Sequence, residues 1–243
     1  MAGPVAASVL LAVGGPPAAA IAFDGLTFLV SALLLGEIST PPDADLTSYG
    51  VSPHRAMRSV ISCRAVRALL GVEAAWALLG AAPILVLGPV VCATRLDGPV
   101  SWAAIVTAYG IGGVLGGFVI RSSATARRHA ALGFLLETPA PLLLAVAASI
   151  WIVAPAAVLG GIGSAATSTL ITTRLQLETP SRLQATTAAL QAAVELALLS
   201  TGYLLAGGIA SAASVPAALA LSATTGAALA AVTHRTRSAE PGR

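Results

Sequence analysis

The sequence predicts an all-α, polytopic helical membrane protein with about seven to eight transmembrane helices. Composition is the first observation, because 56% of the 243 residues are hydrophobic and 9% are charged, whereas soluble domains carry about 25% charged residues. The second is that long apolar runs recur along the whole chain, and a hydrocarbon core about 30 Å thick needs roughly 20 helical residues. The third is the arginines, which collect at one set of ends of these runs.

The apolar runs follow one another with turns that glycine and proline mark. "GGPP" at 14–17 precedes the first full span, and "DGP" at 97–99 divides two later ones. A first apolar stub, 4–14, is too short to cross a bilayer; a signal peptide is the alternative, but no positive residue precedes it. The predicted spans are 16–36, 68–92, 100–120, 130–149, 154–173, 184–210 and 214–233.

Arginine placement predicts the orientation of these spans. All 13 basic residues are arginine, and positive residues concentrate in the short loops on the cytoplasmic side. If the loop 37–67 is cytoplasmic, Arg95 alone lies outside. The sequence therefore predicts a multi-pass protein of the plasma membrane with a cytoplasmic C-terminus. The arginines on the predicted inner side are Arg55, Arg58, Arg64, Arg67, Arg121, Arg127, Arg128, Arg174, Arg182, Arg235, Arg237 and Arg243.

The chain carries no pattern that is typical of an enzyme. We find no nucleophile with its base, no phosphate loop and no ligand spacing for a metal, and Cys63 and Cys92 fall on opposite predicted sides. Aromatic and basic residues are not interleaved as single-stranded nucleic acid would require. We therefore predict no catalytic residue, no metal, no cofactor and no nucleic-acid partner.

Four carboxylates within predicted spans are candidates for proton coupling. An exposed carboxylate in mid-bilayer costs about 2.5 to 3.5 kcal/mol on insertion scales, so each is expected to face a cavity, find a donor or be protonated. Glu195 lies deepest in its span, whereas Glu137 precedes "TPAP" at 138–141, where we expect a bend. The alternative for each is an interhelical hydrogen bond, which we favour for Asp24. The four are Asp24, Glu73, Glu137 and Glu195.

Two glycine-rich stretches predict close helix packing. "YGIGGVLGG" at 109–117 repeats glycine at four-residue spacing, and such spacing lets another helix approach its backbone. A later span holds a second group of small residues. The predicted packing glycines are Gly112, Gly113, Gly116, Gly117, Gly160, Gly161 and Gly163.

Three stretches resemble major facilitator superfamily exporters, in the branch of bacterial transmembrane secretion effectors that includes the enterobactin exporter. "AFDGLTFLVSALLL" at 22–35 resembles the family's sixth helix, and "GPVAASVLLAVGGPP" at 3–17 resembles the end of its fifth. "LQLETPSRLQATTAAL" at 175–190 is similar to the loop between helices ten and eleven.

This resemblance implies four regions. These are the last two helices of the first half, the earlier one truncated (1–36); a basic cytoplasmic linker (37–67); a six-helix second half (68–233); and a cytoplasmic tail (234–243).

The resemblance also implies proton-coupled efflux of a small molecule. "GGFVIRSSATARRHA" at 116–130 keeps the family's basic cluster as Arg121, Arg127 and Arg128, but it lacks the acidic residue, which argues against a charge relay there. We expect the chain alone to be inactive and to seek a first half or a second copy. The alternative is a non-transporting membrane subunit or remnant that only packs against partner helices.

The orientation predicts the reactivity of Cys63. An impermeant thiol reagent should label it in inverted vesicles but not in intact cells, because the loop 37–67 is predicted to be cytoplasmic. A Cys63→Ser variant, which keeps Cys92, gives the background. Labelling of Cys63 in intact cells would contradict the orientation.

Overall fold

The computed structural model describes residues 17–37, 52–121, 126–146 and 149–238. The described residues are helical, with no strand among them. The chain divides into two compact units, 1–55 and 56–243. In the first unit, α1 (Pro17–Gly36) coincides with a predicted span, while the stub 4–14 lies outside the described residues.

The second unit is an assembly of long apolar helices. Among its described residues, five helices are long and apolar enough to cross a membrane: Arg64–Arg95, Pro99–Phe118, Ile150–Glu178, Ser181–Ala212 and Val215–His234. The helices after α1 are α2 (Pro53–Ser62), α3 (Arg64–Ala75), α4 (Ala82–Arg95), α5 (Pro99–Arg121), α6 (Ala126–Glu137), α7 (Pro139–Val146), α8 (Ile150–Glu178), α9 (Gln184–Ala212) and α10 (Val215–Ser238).

The predicted span at 130–149 is broken into two helices. α6 ends at Glu137 and α7 begins at Pro139, because proline lacks the backbone N–H and its ring crowds the preceding turn. The Thr138 hydroxyl donates to the Leu135 carbonyl at 2.8 Å, which satisfies one group at the break. The bend expected at the "TPAP" segment is therefore confirmed.

A π-helical segment, Trp76–Ala81, joins α3 to α4 and makes them one continuous helix. The Ser222 hydroxyl of α10, fully buried, donates to the Gly80 carbonyl at 2.6 Å. The Trp76 ring packs edge-on against Phe134 of α6, with centroids 5.7 Å apart. The widened turn thus lies at a junction of several helices.

α5 and α8 make the closest helix contact around glycines. A methyl group added at Gly112 would overlap the Val158 carbonyl, and one at Gly116 would meet the Ile162 carbonyl and Ala165. Because both contact positions advance together along the two helices, α5 and α8 run parallel.

The other predicted packing glycines differ in what surrounds them. Gly161 lies against the Tyr109 carbonyl and the backbone nitrogen of Gly113. Gly163 faces the Gly133 carbonyl of α6, and Gly160 is at ordinary contact distance from the Tyr109 ring. A methyl group at Gly117 would meet no atom within 4 Å.

A similar contact joins α9 to the continuous α3–α4 helix. A methyl group added at Gly202 would overlap the Leu78 carbonyl and the Ala82 methyl. This contact matches that of Gly116, which also faces one carbonyl and one alanine. Leu78 and Ala82, which Gly202 faces, are four positions apart in the sequence, whereas Ile162 and Ala165, which Gly116 faces, are three apart. The larger separation is consistent with the wider turn of the π segment. Glu73 and Gln191, in contact nearer the start of both helices, show that this pair is also parallel.

α6 and α10 pack against these helix pairs and run antiparallel to the helices that they contact. Gly133 of α6 contacts Thr167 of α8, whereas the Leu136 carbonyl, one turn later, faces Gly160, so the numbering rises on one helix as it falls on the other. α10 packs on α6, α7 and the π segment. Two buried clusters fill the unit: one around Val91, Leu144 and Leu219, the other around Val66, Phe134 and Leu175.

The α5–α8 contact predicts different effects for two nearby glycines. Gly112→Ala should lower the free energy of unfolding by about 1 to 3 kcal/mol, because the added methyl overlaps a backbone carbonyl. Gly117→Ala, in the same helix, should be neutral. The measurement is thermal exposure of the buried Cys92 thiol to a fluorogenic maleimide, in a Cys63→Ser background. Equal unfolding midpoints would contradict the close approach.

Candidate functional site

The carboxyl group of Glu137 is buried between α6 and α8, with 3% of the residue exposed. Its Oε1 accepts a hydrogen bond from Thr167 Oγ1 at 3.1 Å. Gly163 leaves the space, since a methyl group there would lie 3.1 Å from Glu137 Cγ. α8 therefore supplies both the hydrogen-bond donor to the carboxyl group and the space that the carboxyl group occupies.

Other hydroxyl groups complete the surroundings of Glu137. Tyr109 of α5 and Ser164 of α8 lie close to each other, and Tyr109 is also near Glu137. Within the described part of the chain, no ion pair reaches Glu137. Among the described residues, the partner of this carboxyl group is thus a hydroxyl and not a cation.

A second site brings two predicted carboxylates together. Gln191 Nε2 of α9 donates to Glu73 Oε1 of α3 at 2.8 Å. Glu73 Oε2 is buried and has no hydrogen-bond partner among the residues that the structure describes. Glu195 follows Gln191 by one helical turn and lies close enough for its charge to act on Glu73.

α9 is the least covered of the long helices. Its most apolar stretch is 11% buried, against 44% for that of α8. Glu195, the deepest predicted carboxylate, is exposed, while Glu73 is half-buried. The pair thus lies between the interior of the unit and its uncovered side.

A cavity of about 260 Å³ lies between α8 and α9 and adjoins this pair. Gln191 lines the cavity and also holds Glu73. Gln184 Nε2 donates to the Gln176 carbonyl at 3.3 Å across its mouth. The other polar side chains in the lining are Thr172 and Thr187.

Sequence reasoning missed three partners of these carboxyl groups: Gln191, Thr167 and Tyr109. Gln191 carried a signal, because it stands four residues before Glu195 and so shares its helix face. Thr167 and Tyr109 carried none, since their role depends on the register between helices.

The remaining candidate residues belong to other helices or helix ends. Asp24 belongs to α1, and Arg121 ends α5. Arg127 and Arg128 stand in the first turn of α6. The surroundings of these four side chains lie outside the described part of the structure.

Comparison of the chain with protein-family models, curated proteins and solved structures finds no match. The function is therefore inferred from the helix arrangement and the two carboxyl sites.

The Thr167–Glu137 hydrogen bond predicts a non-additive pair of substitutions. Thr167→Val should lower the free energy of unfolding by about 1 to 3 kcal/mol, because it leaves a buried acceptor without its donor. Adding Glu137→Leu should restore much of that loss, since both polar partners are then gone. Ser168→Ala, an exposed hydroxyl on the same helix, is the control. Thermal unfolding in detergent is measured for the wild type, each single variant (Thr167→Val and Glu137→Leu), the double variant and the control, and additive losses would argue against the bond.

Proposed function

We propose that residues 56–243 contain one six-helix half of a major facilitator type transporter, and that the protein exports a small molecule in exchange for protons. The observation that carries this proposal is a repeated packing pattern. The first three helical elements are α3–α4, α5 and α6–α7, and the next three are α8, α9 and α10. Exchanging the two triplets reproduces the principal contacts.

The exchange can be followed contact by contact. The parallel pair α5 with α8 becomes the parallel pair α9 with α3–α4, and each has a glycine against a carbonyl and an alanine: Gly116 in one, Gly202 in the other. The contact of α6 with α8 becomes that of α10 with the π segment. The contact of α6 and α7 with α10 maps onto itself.

In a membrane protein, exchanging the two triplets implies a particular symmetry. Consecutive spans alternate in direction, so a repeat of three helices begins the second copy on the opposite side. The two triplets are then related by inversion, as in the nested repeats of each half of major facilitator transporters. We take this pattern as support for the span count and for the resemblance that the sequence suggested.

The surface of the unit also favours a lipid environment. Leu204 is 80% exposed and Trp151 is 85% exposed, and tryptophan at a span end is typical of a membrane interface. A soluble protein rarely leaves side chains of this kind uncovered along whole helices.

We assign proton coupling to the carboxyl groups that lie within the apolar helices. Glu73 and Glu195 lie at the uncovered side, where a site between two halves is expected in this fold. Glu137 lies inside the unit, where Thr167 of α8 is its donor and Thr138 follows it at the break between α6 and α7. Loading and release of protons at these groups would couple the gradient to the rocking of the halves. Asp24 stays a candidate for local helix contact.

The proposal predicts transport only when two halves are present. The 243-residue chain in proteoliposomes, given a proton gradient and a panel of dyes and drugs, should show no efflux. The same chain joined to the first four helices of a related exporter should show gradient-dependent efflux, because alternating access rocks one half against the other. Efflux by the chain alone would argue for a working homodimer. Inactivity of both proteins would favour a non-transporting membrane subunit.

Glu195 supplies a second prediction in the joined protein. Glu195→Gln should abolish the dependence of efflux on the proton gradient while leaving folding intact, because the amide cannot exchange a proton. Glu178→Gln, at the exposed end of α8, is the matched control. Unchanged coupling in Glu195→Gln would remove this residue from the mechanism.

A further inference from the structure

One side of the short helix α2 packs against the second unit. Ala56 and Val60 share this side because they are four residues apart, and they are 7% and 3% exposed. They belong to the buried cluster that contains Leu175, near the end of α8, and Leu183, just before α9. This side of α2 therefore covers one end of the long helices.

The adjoining side of α2 is apolar but uncovered. Met57 and Ile61 are also four residues apart, and they are 42% and 41% exposed. Arg58 and Ser62 lie on the next side of the helix and are exposed. A helix that carries an exposed apolar side beside a basic one is typical of the membrane interface, where the apolar side enters the lipid and the arginines stay among the headgroups.

The depth of α2 in a bilayer follows from the helix that comes after it. Arg64–Arg95 has 32 residues, which is about 48 Å at 1.5 Å per residue, whereas the hydrocarbon core is about 30 Å thick. The ends of this helix therefore reach the headgroup regions. Cys63 is extended, with ψ of 119°, so the chain changes direction between α2 and α3 at this depth.

The charge of this segment has one sign. Residues 56–72 contain three arginines and no acidic residue. Arg67 is used within the protein, since its Nη1 donates to the Ile61 carbonyl at 2.8 Å near the end of α2. Arg58 and Arg64 are exposed, and neither has an ion-pair partner among the described residues. The partner that complements them is a surface of negative charge.

We propose that α2 binds anionic phospholipid at the membrane surface. Met57 and Ile61 enter the boundary between headgroups and acyl chains, while Arg58 and Arg64 donate to the lipid phosphates. A free anion such as inorganic phosphate would meet the arginines but leave both apolar side chains in water, whereas a phospholipid meets both. This interaction requires a membrane but no transport, so it is independent of the proposed export.

Quenching of a fluorophore on the native Cys63 tests the proposal. Cys63 follows α2 and is partly exposed, whereas Cys92 is buried, so bimane can be attached to Cys63 in the full chain. The labelled chain is placed in phosphatidylcholine nanodiscs that contain a small fraction of one quenching lipid. This lipid is phosphatidylglycerol, which is anionic, or phosphatidylcholine, each with the same nitroxide near its headgroup.

The anionic lipid should associate about tenfold or more tightly than phosphatidylcholine, because each arginine at an anionic surface contributes roughly fivefold. Inorganic phosphate, added at constant ionic strength, should not relieve the quenching. Equal quenching by the two lipids, or relief by inorganic phosphate, would overturn the proposal.

Variants locate the binding. Arg58→Gln combined with Arg64→Gln should bring the ratio of the two affinities close to one, whereas Arg95→Gln, an exposed arginine at the end of α4, should leave it unchanged. Met57→Ser combined with Ile61→Ser should weaken association of the anionic lipid about threefold or more, because less apolar surface enters the lipid. These four side chains of α2 and α3 are exposed, so the fold does not depend on them. An unchanged preference in the arginine variant, or unchanged association in the apolar variant, would contradict the proposal.

Discussion

The structure depends on one constraint: polar groups within long apolar helices must find their partners in the protein. Backbone groups do so inside each helix, and hydroxyl groups follow the same rule, since Thr94, Ser200 and Thr201 donate to carbonyls of their own helices four residues earlier. Where two helices touch, glycines let one backbone reach the next, as Gly112 does against α8. Close packing and internal hydrogen bonding thus take the place that hydration has in a soluble protein.

Against this background the carboxyl groups stand out. Glu137 has one donor from a neighbouring helix, and Glu73 has a donor for one of its two oxygens. Each carboxyl group lies where elements of different triplets meet, α6 with α8 in one case and α3 with α9 in the other. A change of protonation at either place would act on the contact between the proposed repeats, as the proposed transport mechanism requires.

The sequence predicted what local composition decides. Long apolar runs appear as helices, and the prolines after Glu137 break α6 from α7. It did not predict the π segment at Trp76–Ala81, because the residues of that segment are of the same kinds as those in the helix around it. Ser222, whose hydroxyl donates to the Gly80 carbonyl in the segment, belongs to a helix that is distant in the sequence. The roles of Thr167 and Gln191 were missed for the same reason, since register between helices sets them. The glycine spacing indicated close contact but not that the two helices run parallel.

We propose that the two triplets of helices are related by inversion. An experimentally determined structure of the chain in a lipid nanodisc, with residues 64–146 superposed on 150–238, measures that relation directly. We expect a rotation near 180° about an axis in the membrane plane, with Gly116 and Gly202 at equivalent positions. A rotation about the membrane normal, or triplets that do not superpose, would contradict it.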